Sequence, residues 1–232
     1  MRQPRIAIAG AGLGGLFAAA ALAQAGCAVT VCERAAELGE VGAGVQISPN
    51  GARLLARLGV LDVVRAAGFA PQAAEMRRGV SGASLLRLPL AEAAARRWGA
   101  PYLQVHRADL LAALEQAARS AGAEIVLGVA ATGATDGALL LEGGGAVEAD
   151  VVLGADGLRS TVREGLTGPQ PPRFAGNVAW RATVPAGAAP PGLVAPTATV
   201  WVGPGRHLVT YYLRGGALVN IVAVEERSSW AE

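Results

Sequence analysis

Apolar and polar positions in this chain fall into short blocks whose period switches between two and about 3.6. Residues 6–9, Ile-Ala-Ile-Ala, read as a strand, a glycine turn follows, and the Ala-rich stretch to residue 24 reads as a helix. Ala28–Glu33 reads as a second strand that ends on an acid. The segment 40–50 predicts a glycine-rich loop and an extended piece around Val45–Ile47, with Pro49 and Asn50 where a helix begins. Residues 73–88 alternate like a hairpin around Val80–Ser84, and 91–99 predict a short helix. A strand at 102–106 leads into an amphipathic helix over 107–122 with Leu110, Leu111 and Leu114 on one side. Short strands with glycine turns fill 124–148, and 149–166 read as strand, turn and helix. After the Pro-rich 168–174 the helices stop, and 178–186, 198–203, 207–214 and 217–226 all read as strands. The fold class is therefore α/β. The composition shift near 167–175 predicts a boundary, with a cofactor half at 1–170 and an antiparallel sheet at 171–232.

Gly10, Gly12 and Gly15 fall on G-x-G-x-x-G directly after the first strand, and Glu33 follows Gly15 by 18 residues. Gly10 permits the tight turn, Gly12 lets backbone amides approach a pyrophosphate, and Gly15 lets the helix pack closely on the sheet. The helix N-terminus adds positive potential, and an acid at the position of Glu33 accepts hydrogen bonds from an adenosine ribose. With 32 glycines in the chain the motif alone is weak, but its strand, helix and acid make it specific for an adenine dinucleotide. Residues 1–27 also imitate a secretory signal, with Arg2, Arg5, an apolar centre and a small-residue end. Four glycines interrupt that centre, and it runs straight into the strand that a dinucleotide fold needs.

At 232 residues the chain is long enough for a substantial core. Its 52% hydrophobic and 16% charged residues are too apolar for disorder. No apolar run approaches the ~18 residues of a membrane span, which predicts a cytoplasmic protein with no membrane partner. All 20 basic residues are Arg, which excludes lysine Schiff-base chemistry and a P-loop lysine. They are scattered along the chain, against a nucleic-acid partner. Cys27 and Cys32 flank one predicted strand without further ligand residues, so they read as thiols and no metal site is expected.

Three later segments bear on the cofactor. In 154–163, Asp156 and Gly157 lie between a buried strand and a helix, and taken alone an ordinary N-cap with Arg159 and Arg163 in solvent is the better account of them. Arg107 ends a strand, where a guanidinium engages phosphate or a flavin edge, or a surface carboxylate. Residues 42–50 offer backbone groups and Gln46 to a flat ring system, or form a plain glycine loop.

Taken in order, residues 9–15, Glu33–Arg34, 40–50, 106–110 and 154–163 resemble the class A flavoprotein monooxygenases. Among these, the salicylate, 3-hydroxybenzoate and 6-hydroxynicotinate hydroxylases are most similar. The resemblance implies a Rossmann-like FAD-binding domain and the start of an antiparallel substrate-domain sheet. It implies FAD as cofactor, NADH or NADPH as transient reductant, and a small phenolic acid or hydroxypyridine and O2 as substrates. Hydroxylation would pass through a flavin C4a-hydroperoxide, and the full-length enzyme allows a homodimer. By the same resemblance Gly10, Gly12, Leu13, Gly14 and Gly15 contact the diphosphate, Glu33 the ribose and Arg34 the adenosine side. Val45 and Gln46 approach the flavin, Arg107 the ribityl–pyrophosphate section, and Asp156 with Gly157 forms the second fingerprint.

Such chemistry is helped by a base that removes the phenolic proton. Of the two histidines, His106 precedes Arg107 at a strand end and reads as structural. His207 and Tyr211 stand four apart in a strand, on one face, where they would line one cavity. Related hydroxylases carry this pair at the substrate, making His207 the candidate base and Tyr211 a substrate hydrogen-bonder; a solvent-facing polar edge is the alternative. The family's third fingerprint, Gly-Asp then His-Pro, does not occur here. The chain therefore reads as the N-terminal portion of a longer enzyme, expected to bind FAD weakly and not to hydroxylate alone. Other FAD oxidoreductases of the same fold and a non-catalytic nucleotide-binding fragment remain open. Halogenases need a lysine that this chain lacks, and a plain NAD dehydrogenase would not carry the 154–163 segment.

Overall fold

Two interleaved units make up the chain, seen in a computed structural model that describes residues 2–39, 44–190 and 192–229. The elements run β1 (Arg5–Ala9), α1 (Leu13–Gln24), β2 (Ala28–Glu33), β3 (Gly44–Ile47), α2 (Pro49–Leu58), α3 (Leu61–Ala67), β4 (Ala73–Arg78) and β5 (Ser84–Pro89). Next come α4 (Ala91–Trp98), β6 (Leu103–His106), α5 (Arg107–Ser120), β7 (Glu124–Leu127), β8 (Ala131–Thr135), β9 (Ala138–Leu141) and β10 (Ala146–Glu148). The chain continues with β11 (Val151–Gly154), α6 (Thr161–Thr167), β12 (Asn177–Pro185), β13 (Ala198–Gly203), β14 (Arg206–Leu213) and β15 (Leu218–Glu226). Residues 40–43 of the segment singled out above lie outside the described residues.

Unit 1 takes residues 1–39 and 110–173. Its parallel sheet has the order β11-β1-β2-β7, and β8, β9 and β10 form a second, antiparallel sheet. Ala7, Ile8, Ala9 and Val31 are fully buried, which explains why β1 shows no polar alternation: both faces of a parallel strand are covered. Ala7, Ala9, Cys32, Leu139, Ala149 and Val162 pack as one cluster, so the small sheet closes one side of the parallel one. The strand at 5–9 and the helix at 13–24 are separate elements, not the single helix of a signal sequence. Cys27 and Cys32 are free thiols, and burial pushes the Cys32 thiol up from its ordinary range.

Unit 2 takes residues 40–109 and 174–232. Its main sheet has the order β12-β15-β14-β13-β4-β5. All its pairs are antiparallel except β13 with β4, so the 73–89 hairpin joins the later strands through a parallel pair. A two-stranded sheet, β3 with β6, stands beside it. By contacts the last crossing between the units comes after residue 173, and residues 40–109 group with the later sheet. Composition shows where helices stop, whereas pairing of β4 with β13 links residues over a hundred positions apart. Among the described residues no helix is long and apolar enough to cross a membrane.

Candidate cofactor and substrate sites

The glycine turn of unit 1 is held from three sides. Gly10 has φ +95°, and a Cβ there would lie 2.6 Å from the Ala155 carbonyl oxygen. A Cβ at Gly15 would lie 1.9 Å from the Gly10 carbonyl oxygen, so helix and turn touch backbone to backbone. Glu33 ties the third side: Oε2 accepts from the Ala11 N–H at 2.8 Å and Oε1 from the Ala35 N–H at 3.0 Å. Gly12 and Gly14, in contrast, have nothing among the described residues within 4 Å of a would-be Cβ. Gly12 is the N-cap of α1, no side chain caps that end, and no acid occupies its first turn. The first N–H groups of the helix, ahead of the Leu16 N–H that donates to the Gly12 carbonyl at 3.0 Å, are therefore left uncapped, and the helix dipole favours an anion over them. That open, uncapped cradle fits a dinucleotide pyrophosphate. Arg34 follows the Glu33 carboxylate on the exposed surface.

Asp156 is committed to its own helix. Its carboxylate accepts from the Thr161 N–H at 2.7 Å, the Val162 N–H at 3.3 Å and the Thr161 hydroxyl at 3.2 Å, and from the Ser160 hydroxyl. Ser160 in turn caps α6 by accepting from the Arg163 N–H at 3.0 Å. Burial raises the Asp156 carboxyl, but these hydrogen bonds outweigh it and hold the group below its usual range. Gly157, with φ +80° and open space where a Cβ would be, leaves its backbone accessible.

The remaining candidates lie in unit 2. Val45 is half-buried, and Gln46 is exposed and accepts from the Tyr102 hydroxyl. Arg107 begins α5. One turn in, Asp109 accepts two hydrogen bonds from Arg214, at 2.9 and 2.7 Å, and these hold its carboxyl below the ordinary range. His106 is buried, and its Nδ1 accepts from the Ala108 N–H at 3.3 Å, a structural use at the start of α5.

His207 and Tyr211 share one face of β14 but meet different surroundings. His207 is exposed and lines a cleft of about 820 Å³ with Trp180, Trp201 and Leu208. Tyr211 is 3% exposed, outside that cleft, and its ring would touch a Cβ at Gly44 at 2.5 Å. Burial pushes its phenol up to about 12, with the Arg181 charge opposing and Tyr102 adding. The expected shared cavity is therefore not what the described residues form. Four residues of strand separate the two side chains by about 13 Å, and only the Tyr211 end is covered.

Two buried amides belong to none of these motifs. Gln104 in β6 is fully buried, and neither of its side-chain amide atoms has a partner among the described residues. Asn220 in β15 is also fully buried; its Oδ1 accepts from the Gly44 N–H at 2.7 Å while Nδ2 has no partner among the described residues. Each is the lone amide in an apolar strand segment, and that interruption is the signal that points to them.

The FAD binding domain family matches residues 4–202 of this chain. A 3-amino-4-hydroxybenzoate 2-monooxygenase of Streptomyces cremeus is 40% identical over 225 residues, which is 96% of this chain and 57% of that protein. The 3-hydroxybenzoate 6-hydroxylase 1 of Aquipseudomonas alcaligenes is 37% identical over 94% of this chain and 56% of its own length. The chain thus spans rather more than half the length of these relatives. Among solved structures, Klebsiella pneumoniae HpxO complexed with FAD and uric acid aligns with a TM-score of 0.82 at 26% identity, covering 99% of this chain and 58% of that one. An α/β fold of this kind, an open cradle at Gly12 and Gly14, and a match over residues 4–202 place the chain in the FAD binding domain family.

Proposed function

We propose that this chain forms the FAD-holding portion, and part of the substrate sheet, of a monooxygenase that hydroxylates a small aromatic acid or hydroxypyridine. The observation that carries this is the uncapped start of α1 beneath the open Gly12 and Gly14 positions. Its amides would hold the pyrophosphate, with Gly10 and Gly15 fixing the turn and Leu13 beginning the helix. Each Glu33 oxygen accepts one backbone N–H and keeps a lone pair for a ribose hydroxyl. Arg34 would lie along the adenosine, and the Gly157 backbone, shaped by Asp156, would face the dinucleotide. Val45, Gln46 and Arg107 would serve the flavin side. Bound FAD, reduced by NADH or NADPH, supplies the activation of O2.

On the substrate side, His207 would accept the proton of the substrate hydroxyl and Tyr211 would donate a hydrogen bond at two separate stations along β14, about 13 Å apart, which one small ring does not span at once. Burial keeps the Tyr211 phenol protonated well above neutral pH, so it remains a donor throughout any working range. The named activities of the relatives, on hydroxybenzoates and 6-hydroxynicotinate, support the substrate class. The test is FAD titration followed by NAD(P)H oxidation in the presence of hydroxybenzoates and hydroxypyridines. Weak, saturable FAD uptake without stimulated oxidation is expected of this chain by itself, and stoichiometric yellow flavin with oxidation stimulated by one of these compounds would show that it works unaided. A chain that takes up no FAD overturns the proposal.

A further inference from the structure

Asn220 does something its strand does not need. In β15 it follows Leu218–Val219 and precedes Ile221–Val222, and it is completely buried. A buried amide with an unpaired N–H is unfavourable there compared with an aliphatic side chain, so sheet formation alone does not account for it. Its Oδ1 accepts from the backbone N–H of Gly44, the first residue of β3, at 2.7 Å. Across the sheet Asn220 lies opposite Tyr211, and the Tyr211 ring occupies the space where Gly44 would carry a Cβ. Two register partners on one sheet face thus grip one glycine, Asn220 by its N–H and Tyr211 by contact with its Cα side. Gly44 leads directly into Val45 and Gln46, and Gln46 is tied to Tyr102, whose phenol also acts on Tyr211.

We propose that Asn220 is a positioning residue that fixes the Gly44–Gln46 strand against Tyr211. It sets the spacing between the residues offered to the flavin and the phenol offered to the substrate. The inference rests on the roles assigned above to Val45, Gln46 and Tyr211. Without the amide oxygen the Gly44 N–H is left unpaired in a buried place, and β3 is free to shift away from the phenol.

The test compares Asn220→Leu, which fills the space without an acceptor, with Asn220→Asp, which retains the acceptor. FAD affinity per folded molecule is read by flavin fluorescence, Tyr211 ionisation by tyrosinate absorbance against pH, and folding by thermal melting. Asn220→Leu is expected to bind FAD roughly tenfold more weakly or worse. Its Tyr211 transition should fall from about 12 toward the ordinary tyrosine value. Asn220→Asp is expected to bind FAD within about threefold of the parent, since an oxygen still receives the Gly44 N–H. Should Asn220→Leu fail to fold, Asn220→Ala is read the same way. Unchanged FAD affinity and an unchanged Tyr211 transition in the Leu variant overturn the proposal, and so does an equal loss of affinity in both variants. If the parent chain binds no FAD, the flavin reading itself falls, and an unmoved Tyr211 transition separately removes the positioning role.

Discussion

Gly12 and Gly15 stand three positions apart and meet opposite constraints. A methyl at Gly15 would sit 1.9 Å from a backbone oxygen that cannot move without opening the turn, whereas a methyl at Gly12 meets nothing. Gly12 has φ −70° and ψ −179°, a conformation that alanine adopts freely. Gly15→Ala is therefore expected to destabilise the fold by about 1–3 kcal/mol or more, as overpacking does. Gly12→Ala should melt like the parent and lose FAD affinity, because its methyl fills the cradle. Chemical denaturation and flavin titration of both variants check this, and a Gly12→Ala protein that binds FAD normally would place the pyrophosphate elsewhere. These glycines were legible in the sequence because each role follows from local spacing. Gln104 and Asn220 were not, since what surrounds an amide is decided by strands distant in the chain. Asp156 was legible only in its plainer role: the carboxylate saturates the start of α6 whether or not a cofactor lies beyond it.

At the scale of elements, the hairpin 73–89, the helix after His106 and the four late strands followed from periodicity and turn residues alone. The parallel pair of β13 with β4 did not, because nothing local in either strand selects a partner over a hundred residues away. The turn between β14 and β15 shows how such non-local joins are secured. Arg214 sits in that turn at φ +49°, a conformation a non-glycine side chain rarely adopts, and it holds Asp109 in the first turn of α5 by two hydrogen bonds. The Asp109 carboxyl lies below its ordinary value chiefly through those bonds, helped by the charge of Arg214. A depressed carboxyl contributes stability that is present above the unfolded-state value, near 3.9, and is lost as pH falls through the folded value. Asp109→Asn should therefore lower the melting temperature at neutral pH and flatten its decline below about pH 4. A melting series from pH 7 to pH 2 on both proteins measures this. Parallel curves would mean that the pair contributes nothing, as many exposed ion pairs do.

Across the whole molecule, the chain passes between its two units three times, after residues 39, 109 and 173. Only the last crossing coincides with a change in composition, so a linear division near 167–175 and the contact-based units group residues 40–109 differently. The first two crossings occur inside α/β-like sequence that looks uniform, and α5 itself runs through the second. This arrangement has a consequence for any attempt to isolate the cofactor half. A polypeptide of residues 1–170 retains every strand of the first unit but removes β12 to β15, four of the six strands of the main sheet. The β4–β5 hairpin and the β3–β6 pair would be left without neighbours, and isolated two-stranded sheets are marginal in water. Ala73 and Glu75, 1% and 4% exposed in the chain, would meet solvent along a bare strand edge. That polypeptide is expected to aggregate on size exclusion and to unfold without a sharp transition. Residues 1–39 joined to 110–173 through a flexible Gly-Ser linker keep the parallel sheet, α1, α6 and the β8–β10 sheet together. This shorter molecule should be monomeric and melt cooperatively despite lacking the seventy residues 40–109. A soluble, cooperative 1–170 beside an unfolded 1–39/110–173 would show that the stability of the glycine turn depends on 40–109, and that the two units do not fold as separate bodies.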